Sequence, residues 1–303
     1  MSNIVEYIKN PCRIFLPLAA KGWFKSLDDE TYLKLMFRAR MGRKLGLKNP
    51  KTFNEKLQWL KLYNRKPEYT KMVDKYEAKK YVAEKIGEEY IIPTLGVWNS
   101  FDEIDFDRLP NQFVLKCTHD SGGLVICKDK RRLDLEAARR KIEKSLENNY
   151  YLWGREWPYK NVKPRIIAEQ FMVDSKTKEL RDFKFFCFGG QARCFKVDFD
   201  RFIEHHANYY DMEGKALNFG EVICSPDYSK VIELPENMEE MEKLAHKLSE
   251  NEPFLRTDFY DVNGKIYFGE MTFYPASGFG KFTDDKWDEL LGDWVSIGGS
   301  SSL

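Results

Sequence analysis

The hydrophobic period of the chain changes near Ile86-Gly87, and this change constrains the fold more than any other feature of the sequence. From residue 28 to residue 85, apolar side chains such as Tyr32, Leu35 and Met36 recur at helical spacing. Beyond residue 87, short runs of β-branched and aromatic residues alternate with turn residues, and helical patterns recur over 135–148 and 238–250. We therefore predict an α+β fold with a mainly helical N-terminal region.

Composition places the chain among globular proteins that do not bind nucleic acid. It has 303 residues, 43% of them apolar, with 49 basic and 48 acidic side chains and a net charge of +1. This apolar content is too high for a disordered chain, and nucleic-acid-binding domains usually carry a strongly basic balance. We expect several packed units and small-molecule partners.

Cysteine usage and hydropathy indicate a cytosolic protein. The six cysteines include no C-x-x-C pair, which favours thiols in a reducing compartment. No apolar run approaches the roughly 20 residues of a spanning helix, and the first nine residues do not resemble a signal peptide. Residues 4–25 mix apolar and basic side chains, so this segment either caps the core as an amphipathic helix or contacts the inner face of the membrane.

One strand and the loop after it have the composition of a phosphate-binding element. Residues 113–117 form an apolar strand that carries Lys116, and residues 118–123 form a short loop that ends in Gly122-Gly123. Backbone N–H groups of such a loop can approach an anion, and a lysine at the strand end adds positive charge. Taken alone, the pattern also fits a surface lysine before a Gly-Gly turn.

The order of motifs around this loop distinguishes the two interpretations. Asp74-Lys75 precedes it, residues 166–172 follow it, and Arg256-Thr257-Asp258 and residues 269–272 come near the end. In this order the chain resembles the ATP-grasp superfamily, and most closely its TupA-like branch of teichuronopeptide biosynthesis, which residues 52–59 also resemble.

The resemblance implies that ATP lies between two α+β subdomains and that Mg²⁺ is the metal cofactor. It implies domain boundaries of 1–68 for the helical region, 69–110 for an N-terminal lobe, 111–170 for a small subdomain and 171–295 for a C-terminal subdomain. Residues 169–172 would meet the adenine, although by themselves they also fit a core strand with a polar end. The residues implied in nucleotide binding are Lys75, Lys116, Ser121, Gly122, Gly123, Glu169, Gln170, Phe171 and Met172.

The expected metal ligands are Asp258 and Glu270, because Mg²⁺ prefers carboxylate and phosphate oxygens. Asn263-Gly264 predicts a hairpin between them, but a strict two-residue turn would place the two carboxylates on opposite faces. A three-residue loop, with Gly264 as the bulge, pairs Asp258 with Phe268 and puts both carboxylates on one face. We therefore predict the three-residue loop.

The same register fixes which other residues accompany the carboxylates. It places Arg256 and Thr272 on their face of the hairpin; relatives usually carry asparagine at the position of Thr272, so no ligand role is transferred to it. The opposite, core-facing side would carry four apolar residues, Phe259, Tyr267, Met271 and Phe273.

Three basic residues are candidates for catalysis. By resemblance, Lys184 stands where relatives aim an arginine at phosphate, and Arg201 and Arg256 could clamp an acceptor carboxylate or stabilise a developing oxyanion. From the residues alone, Lys184 and Arg201 fit solvated surface positions equally well.

The implied activity is ATP-dependent joining of a carboxylate to an amine through an acyl phosphate. By resemblance, the carboxylate would belong to a uronic acid of a surface polysaccharide or its precursor, and the amine to an amino acid; the oligomeric state is left open. Asp198-Phe199-Asp200 supports an alternative hypothesis, a glycosyltransferase or phosphotransferase of capsule assembly. A third hypothesis is a non-catalytic binding module. The adjacent His205-His206 would face opposite sides of a strand, and no spacing indicates a paired Cys and His.

Overall fold

The computed structural model describes residues 10–176, 180–200 and 204–298. Short 3₁₀ turns join the helices and strands. The α-helices are α1 (Phe15–Ala20), α2 (Asp29–Met41), α3 (Phe53–Tyr63), α4 (Glu68–Val73), α5 (Glu77–Ile86), α6 (Leu135–Leu146), α7 (Tyr150–Gly154), α8 (Met238–Ser249) and α9 (Lys286–Trp294). None of these helices in the described part of the chain is long and apolar enough to cross a bilayer.

The strands form two antiparallel sheets. The small sheet has the order β1-β4-β2-β3 and the large sheet has the order β10-β9-β5-β6-β7-β8. The strands are β1 (Thr94–Trp98), β2 (Phe113–Cys117), β3 (Leu124–Cys127), β4 (Ile166–Gln170), β5 (Asp182–Phe188), β6 (Gln191–Phe199), β7 (His206–Tyr210), β8 (Ala216–Leu217), β9 (Phe254–Val262) and β10 (Lys265–Thr272). The predicted α+β class and the helical N-terminal region are confirmed.

Alternation along β2 divides the small sheet into a core face and an open face. Phe113, Leu115 and Cys117 are buried and pack with Ile142 of α6 in one apolar cluster. The side chains of Val114 and Lys116 take the opposite face, because successive residues of a strand point to opposite sides. That face borders the cleft between the two sheets.

The hairpin of β9 and β10 corrects the predicted register. Val262 pairs with Lys265 across a two-residue turn in which Asn263 and Gly264 both have positive φ, so the three-residue loop is wrong. A bulge between Phe268 and Glu270 then shifts the pairing by one residue, and Glu270 lies directly opposite Asp258. Both carboxylates therefore share a face, as expected, but for a different physical reason.

Gly269 makes this bulge sterically possible. A Cβ atom at this position would lie 3.0 Å from the carbonyl oxygen of Asp258 and 3.1 Å from the ring of Tyr260. The bulge also changes the core face of β10, where Phe268 is buried opposite Phe259 and the predicted Tyr267 is only partly buried. Glycine inside a strand is a common sequence signal of such a bulge.

Helix α3 supports the chain segment that follows β10. Thr52 and Glu55 form a capping box at its start, and its buried face carries polar residues as well as the apolar Leu57 and Leu60. Asn54 binds the carboxylate of Asp288 at 2.8 Å. The helix is thus hydrogen-bonded to residues more than 200 positions later.

A left-handed turn after β10 depends on Lys61 of this helix. Ala276, Ser277 and Gly278 have φ angles of 47°, 55° and 63° in succession, and such strain persists only where the surroundings hold it. The fully buried amino group of Lys61 donates to the carbonyl oxygens of Ser277 and Gly154, both at 2.7 Å. Lys61 therefore holds two distant loops in place.

Burial of Lys61 predicts a pH-dependent stability. Desolvation lowers its pKa to about 7, so between about pH 7 and 10.5 the unfolded chain holds a proton that the folded chain has released. This component of the free energy of unfolding rises with pH across that window and is lost as the pH falls. We expect Lys61→Met to remove it, measured by urea denaturation at several pH values. Lys80→Met, at an exposed position, should leave the slope unchanged.

Candidate functional site

Two adjoining cavities lie in the cleft between the small and the large sheet. They share four lining residues, which are Ile92, Lys116, Glu169 and Tyr260. The first cavity is polar and is lined by Lys75, Lys79 and Glu270 as well. The second is mainly apolar. The structure therefore brings Lys75, Lys116, Glu169 and Glu270, all predicted from sequence, into one cleft.

Glu169 at the end of β4 links two lysines across the cleft. Its carboxylate lies 2.6 Å from the ammonium of Lys116 and 2.6 Å from that of Lys79. Burial alone would raise the pKa of Glu169, but the two ammonium groups lower it to about 2. Glu169 is therefore an anion that holds both lysines at the wall between the two cavities.

Lys79 is a site residue that sequence reasoning missed. It lies on α5, and its ammonium also donates to the carbonyl of Ile92 at 2.6 Å. Its partner Glu169 is 90 positions away, which no local pattern reveals.

Lys75 lies in the bend between α4 and α5, not on a helix as its sequence context suggests. Its backbone N–H donates to the carbonyl of Thr118 at 3.0 Å, and its ammonium donates to the carbonyl of Asp120. Burial lowers the pKa of Lys75, and the charge of Lys116 acts in the same direction. The two lysines thus form a positive pair beside the glycine loop.

The glycine loop is anchored from beneath by buried side chains. Asp120 accepts hydrogen bonds from the N–H of Gly123 at 3.1 Å and from the hydroxyl of Ser145 on α6. His119 is buried, and its Nε2 contacts the carbonyls of Ser145 and Asn148, both at 3.1 Å. His119 is therefore a structural anchor of the loop, and Ser121 and Gly122 lie exposed above it.

The two glycines of this loop predict different outcomes for the same substitution. A Cβ at Gly123 would lie 2.5 Å from both Cys117 Sγ and Ser145 Oγ, whereas one at Gly122 meets nothing closer than 3.4 Å. We expect Gly123→Ala to lower the free energy of unfolding by roughly 1–3 kcal/mol through overpacking. Gly122→Ala is the matched control and should change it by less than about 0.5 kcal/mol in urea denaturation. Equal losses in the two variants would contradict the assigned packing.

The apolar cavity is bounded by both sheets and by the segment after β4. Val114, Leu124 and Ile126 of the small sheet lie on one side, and Phe199 and Tyr260 of the large sheet on the other. The predicted adenine segment supplies the edge, with the lining residues Gln170, Phe171, Met172 and Val173. A mainly apolar cavity with a few polar groups at its edge suits a heterocyclic base.

An ion-pair network on the large sheet joins the remaining predicted site residues. Arg256 donates to both oxygens of Asp258 at 2.7 Å and to Glu270 at 2.8 Å. The ammonium of Lys184 lies 2.7 Å from Asp258 and 3.5 Å from Asp198. Lys184 is thus a buried network residue and not a solvated surface lysine. Arg201 lies outside the described residues.

The two predicted metal ligands differ in how well they suit a divalent cation. Glu270 lines the polar cavity with its side chain 46% exposed, and one of its oxygens is bound by Arg256. Burial would raise its pKa, but Arg256, Lys184 and the cleft lysines lower it to about 2. Asp258 is fully buried with both oxygens held by cations, and burial raises its pKa. Glu270 therefore suits a metal directly, whereas Asp258 would have to give up a contact first.

Thr272, Asp198 and Asp200, the remaining candidates with oxygen ligands, lie in different environments. The hydroxyl of Thr272 lies 3.5 Å from Glu270. Asp198 is buried in β6 and contacts His205, whereas Asp200 has positive φ and pairs with Lys230. The Asp198-Phe199-Asp200 motif is therefore split between two environments.

A family model described as TupA-like ATPgrasp matches residues 55–296. No curated protein matches the sequence. The match covers the cleft, both sheets and most of α3, and it agrees with the resemblance seen in the sequence motifs.

Several solved structures are similar in shape at low identity. D-alanine–D-alanine ligase from Bacillus anthracis, complexed with ATP, is 16% identical with a TM-score of 0.36 over 66% of this chain and 53% of that one. The enzyme of the same name from Helicobacter pylori is 15% identical, with a TM-score of 0.40 over 80% and 69%. Phosphoribosylamine–glycine ligase from Thermotoga maritima is 15% identical, with a TM-score of 0.40 over 68% and 48%. This chain thus spans about half to two thirds of the length of these proteins.

Proposed function

Because the chain belongs to the TupA-like ATP-grasp family, we propose that it is an ATP-dependent carboxylate–amine ligase. The main support for this proposal is that Lys75, Lys116 and Glu270 line a single polar cavity, which adjoins the apolar cavity. A nucleoside triphosphate has the same division between a planar apolar base and a charged tail. The cleft therefore offers complementary chemistry to each end of ATP.

In this proposal the adenine occupies the apolar cavity beside residues 170–173. The triphosphate extends into the polar cavity, where Lys75, Lys79 and Lys116 supply positive charge. The loop of residues 118–123, which binds the ammonium of Lys75 through the carbonyl of Asp120, would fold over it. Glu169 binds Lys79 and Lys116, and these contacts would hold the two ammonium groups away from Glu270 at the acidic end of the cavity.

Mg²⁺ suits the acidic end of the polar cavity, where Glu270 would hold it against the phosphate oxygens. The ion would neutralise phosphate charge and favour transfer of the γ-phosphoryl group. Asp258 is proposed as the second carboxylate of this site, since it lies directly opposite Glu270 in the hairpin. Arg256 contacts both carboxylates, so its guanidinium becomes available to a phosphate or carboxylate when they bind a cation.

The reaction then needs alignment and charge stabilisation more than a protein nucleophile. An oxygen of the acceptor carboxylate attacks the γ-phosphorus of ATP, the bond to ADP breaks, and an acyl phosphate forms. The amine nitrogen attacks the acyl carbon, loses a proton and displaces inorganic phosphate, which leaves an amide. We propose that Arg256, Lys184 and Arg201 orient the carboxylate; Arg256 and Lys184 both contact Asp258, the proposed second metal ligand.

For the substrates, we propose a uronic acid of a surface polysaccharide or its precursor and an amino acid or other amine. This assignment follows the teichuronopeptide branch that the motifs resemble. The basic and apolar segment of residues 4–25 would suit a precursor held at the inner face of a membrane.

The test is ADP release by the purified protein with ATP, Mg²⁺, a panel of uronic acids and a panel of amino acids. A ligase releases ADP only when both an acid and an amine are present, and it forms one amide per ADP. Cleavage of a sugar nucleotide without ATP would instead favour the glycosyltransferase. Tight ATP binding without turnover on any pair would favour a binding module.

A further inference from the structure

Three side chains that can bind a transition metal meet where β6 ends and β7 begins in the large sheet. Within residues 10–176, 180–200 and 204–298, Asp198, His205 and Cys224 form a group whose ligand atoms all lie within 4.8 Å of one another. Nε2 of His205 lies 3.0 Å from Asp198 Oδ1, and Cys224 Sγ lies 3.4 Å from the carbonyl of His205. The three residues belong to three successive segments of the chain, β6, the segment just before β7 and the loop after β8, so no short motif contains all of them.

The fold holds the three residues from independent directions. Asp198 is buried inside β6, where it pairs with Asp182 on one side and Ala207 on the other. Cys224 is buried on a loop that bridges to Glu221, and the adjacent Val222 donates to the carbonyl of Lys281 at 2.8 Å. His205 immediately precedes β7 and is partly exposed. Asp198 and Cys224 are thus held in fixed positions, whereas the side chain of His205 can change its orientation.

We propose that Asp198, His205 and Cys224 form a binding site for Zn²⁺. Thiolate, imidazole and carboxylate are its usual protein ligands, and bonds of about 2.0–2.3 Å place tetrahedral ligand atoms roughly 3.5 Å apart. The observed spacing needs only small side-chain movements to reach this value. Three protein ligands with one exposed histidine leave a fourth position for water.

Charge and ligand type both favour this ion over Mg²⁺. A thiolate and a carboxylate together balance a divalent cation, and sulfur ligands select zinc over the harder magnesium. Two lysines approach Asp198, but Lys184 pairs more closely with Asp258 at 2.7 Å, and Lys196 with Glu221 at 3.0 Å. Their charges are thus already compensated by other carboxylates.

A metal at this position would tie the loop of Cys224 to β6 at the rim of the nucleotide cleft. Asp198 lines the apolar cavity, and Lys184 contacts both Asp198 and Asp258. The zinc site therefore adjoins the proposed catalytic network through one lysine, yet it shares no ligand with the proposed magnesium site.

The experiment is titration of the metal-stripped full chain with Co²⁺ and with Zn²⁺. Co²⁺ should bind at one ion per chain and give the near-ultraviolet charge-transfer absorption of a cobalt–thiolate bond, which Zn²⁺ should abolish by displacement. Zn²⁺ should also raise the Tm of the chain, because an ion that binds only the folded state stabilises it.

Matched variants assign the signal to these residues. His205→Gln alters a partly exposed side chain and should weaken Co²⁺ binding by roughly 100-fold or more while preserving the metal-free Tm. Cys224→Ser should remove the thiolate absorption, whereas Cys12→Ser, on the N-terminal 3₁₀ turn, should keep it. The proposal is overturned if the wild-type chain shows no cobalt–thiolate absorption, or if the absorption and the Tm shift persist in His205→Gln.

Discussion

Replacing Glu270 by glutamine is expected to lower kcat by roughly 100- to 1,000-fold, the scale seen when one charge-stabilising group is removed from an active site. The amide keeps the shape of the side chain but loses the negative charge proposed to hold Mg²⁺ opposite Lys75 and Lys116. The fold should persist because Arg256 keeps both hydrogen bonds to Asp258. The measurement is ADP release with saturating ATP and both co-substrates.

Glu239→Gln is the control for this prediction. Glu239 lies on α8 with its side chain 89% exposed, so the same chemical change there should alter neither kcat nor Tm. The metal assignment is wrong if Glu270→Gln keeps wild-type turnover. A higher Mg²⁺ requirement in this variant, with the KM for the amine unchanged, would further locate the defect at the cation.

Replacing Lys116 by methionine should lower kcat/KM for ATP by a similar factor of roughly 100 to 1,000. Lys116 lines both cavities, and in the proposed binding mode its ammonium contacts the triphosphate between the base and the metal. Methionine preserves the length and apolar stem of the side chain. Nucleotide binding and turnover should be measured side by side, and Lys80→Met on the exposed face of α5 is the control.

Lys116→Met also has a consequence for acid stability that does not depend on activity. In the wild-type chain the pKa of Glu169 is lowered to about 2, so its stabilising contribution is complete above about pH 4.5 and is lost as the pH falls towards 2. With Lys79 as its only remaining lysine partner, Glu169 should have a higher pKa. The variant should therefore show a flatter dependence of the free energy of unfolding on pH in that window. An unchanged dependence would mean that the Lys116–Glu169 contact contributes little.

The sequence was informative about elements and about which residues gather in the cleft. The predicted helices over 135–148 and 238–250 are observed as Leu135–Leu146 and Met238–Ser249, and the turn at Asn263-Gly264 joins a hairpin. Motif order was sufficient to identify the family, whose model matches residues 55–296. Periodicity and turn chemistry are local properties, and these predictions needed nothing more.

The errors concern interactions between segments that are distant in sequence. The predicted bulge was placed at the turn, whereas it lies at Gly269, where the strand passes close to the backbone of Asp258. Lys79 was missed because its partner Glu169 lies on β4, far along the chain. The contact of Asp258 with Lys184 on β5 was likewise not predicted. Local spacing cannot show which cation an acidic group will meet.

The contacts of α3 have a practical consequence for fragments of this chain. Lys61 holds the turn that follows β10, and Asn54 is bonded to Asp288 near the opposite end of the described chain. The helical region is therefore packed into the rest of the fold. Deletion of the first 68 residues would remove α3 and its contacts with Ser277 and Asp288. The minimal autonomous fragment has to begin before Thr52, where the capping box starts this helix.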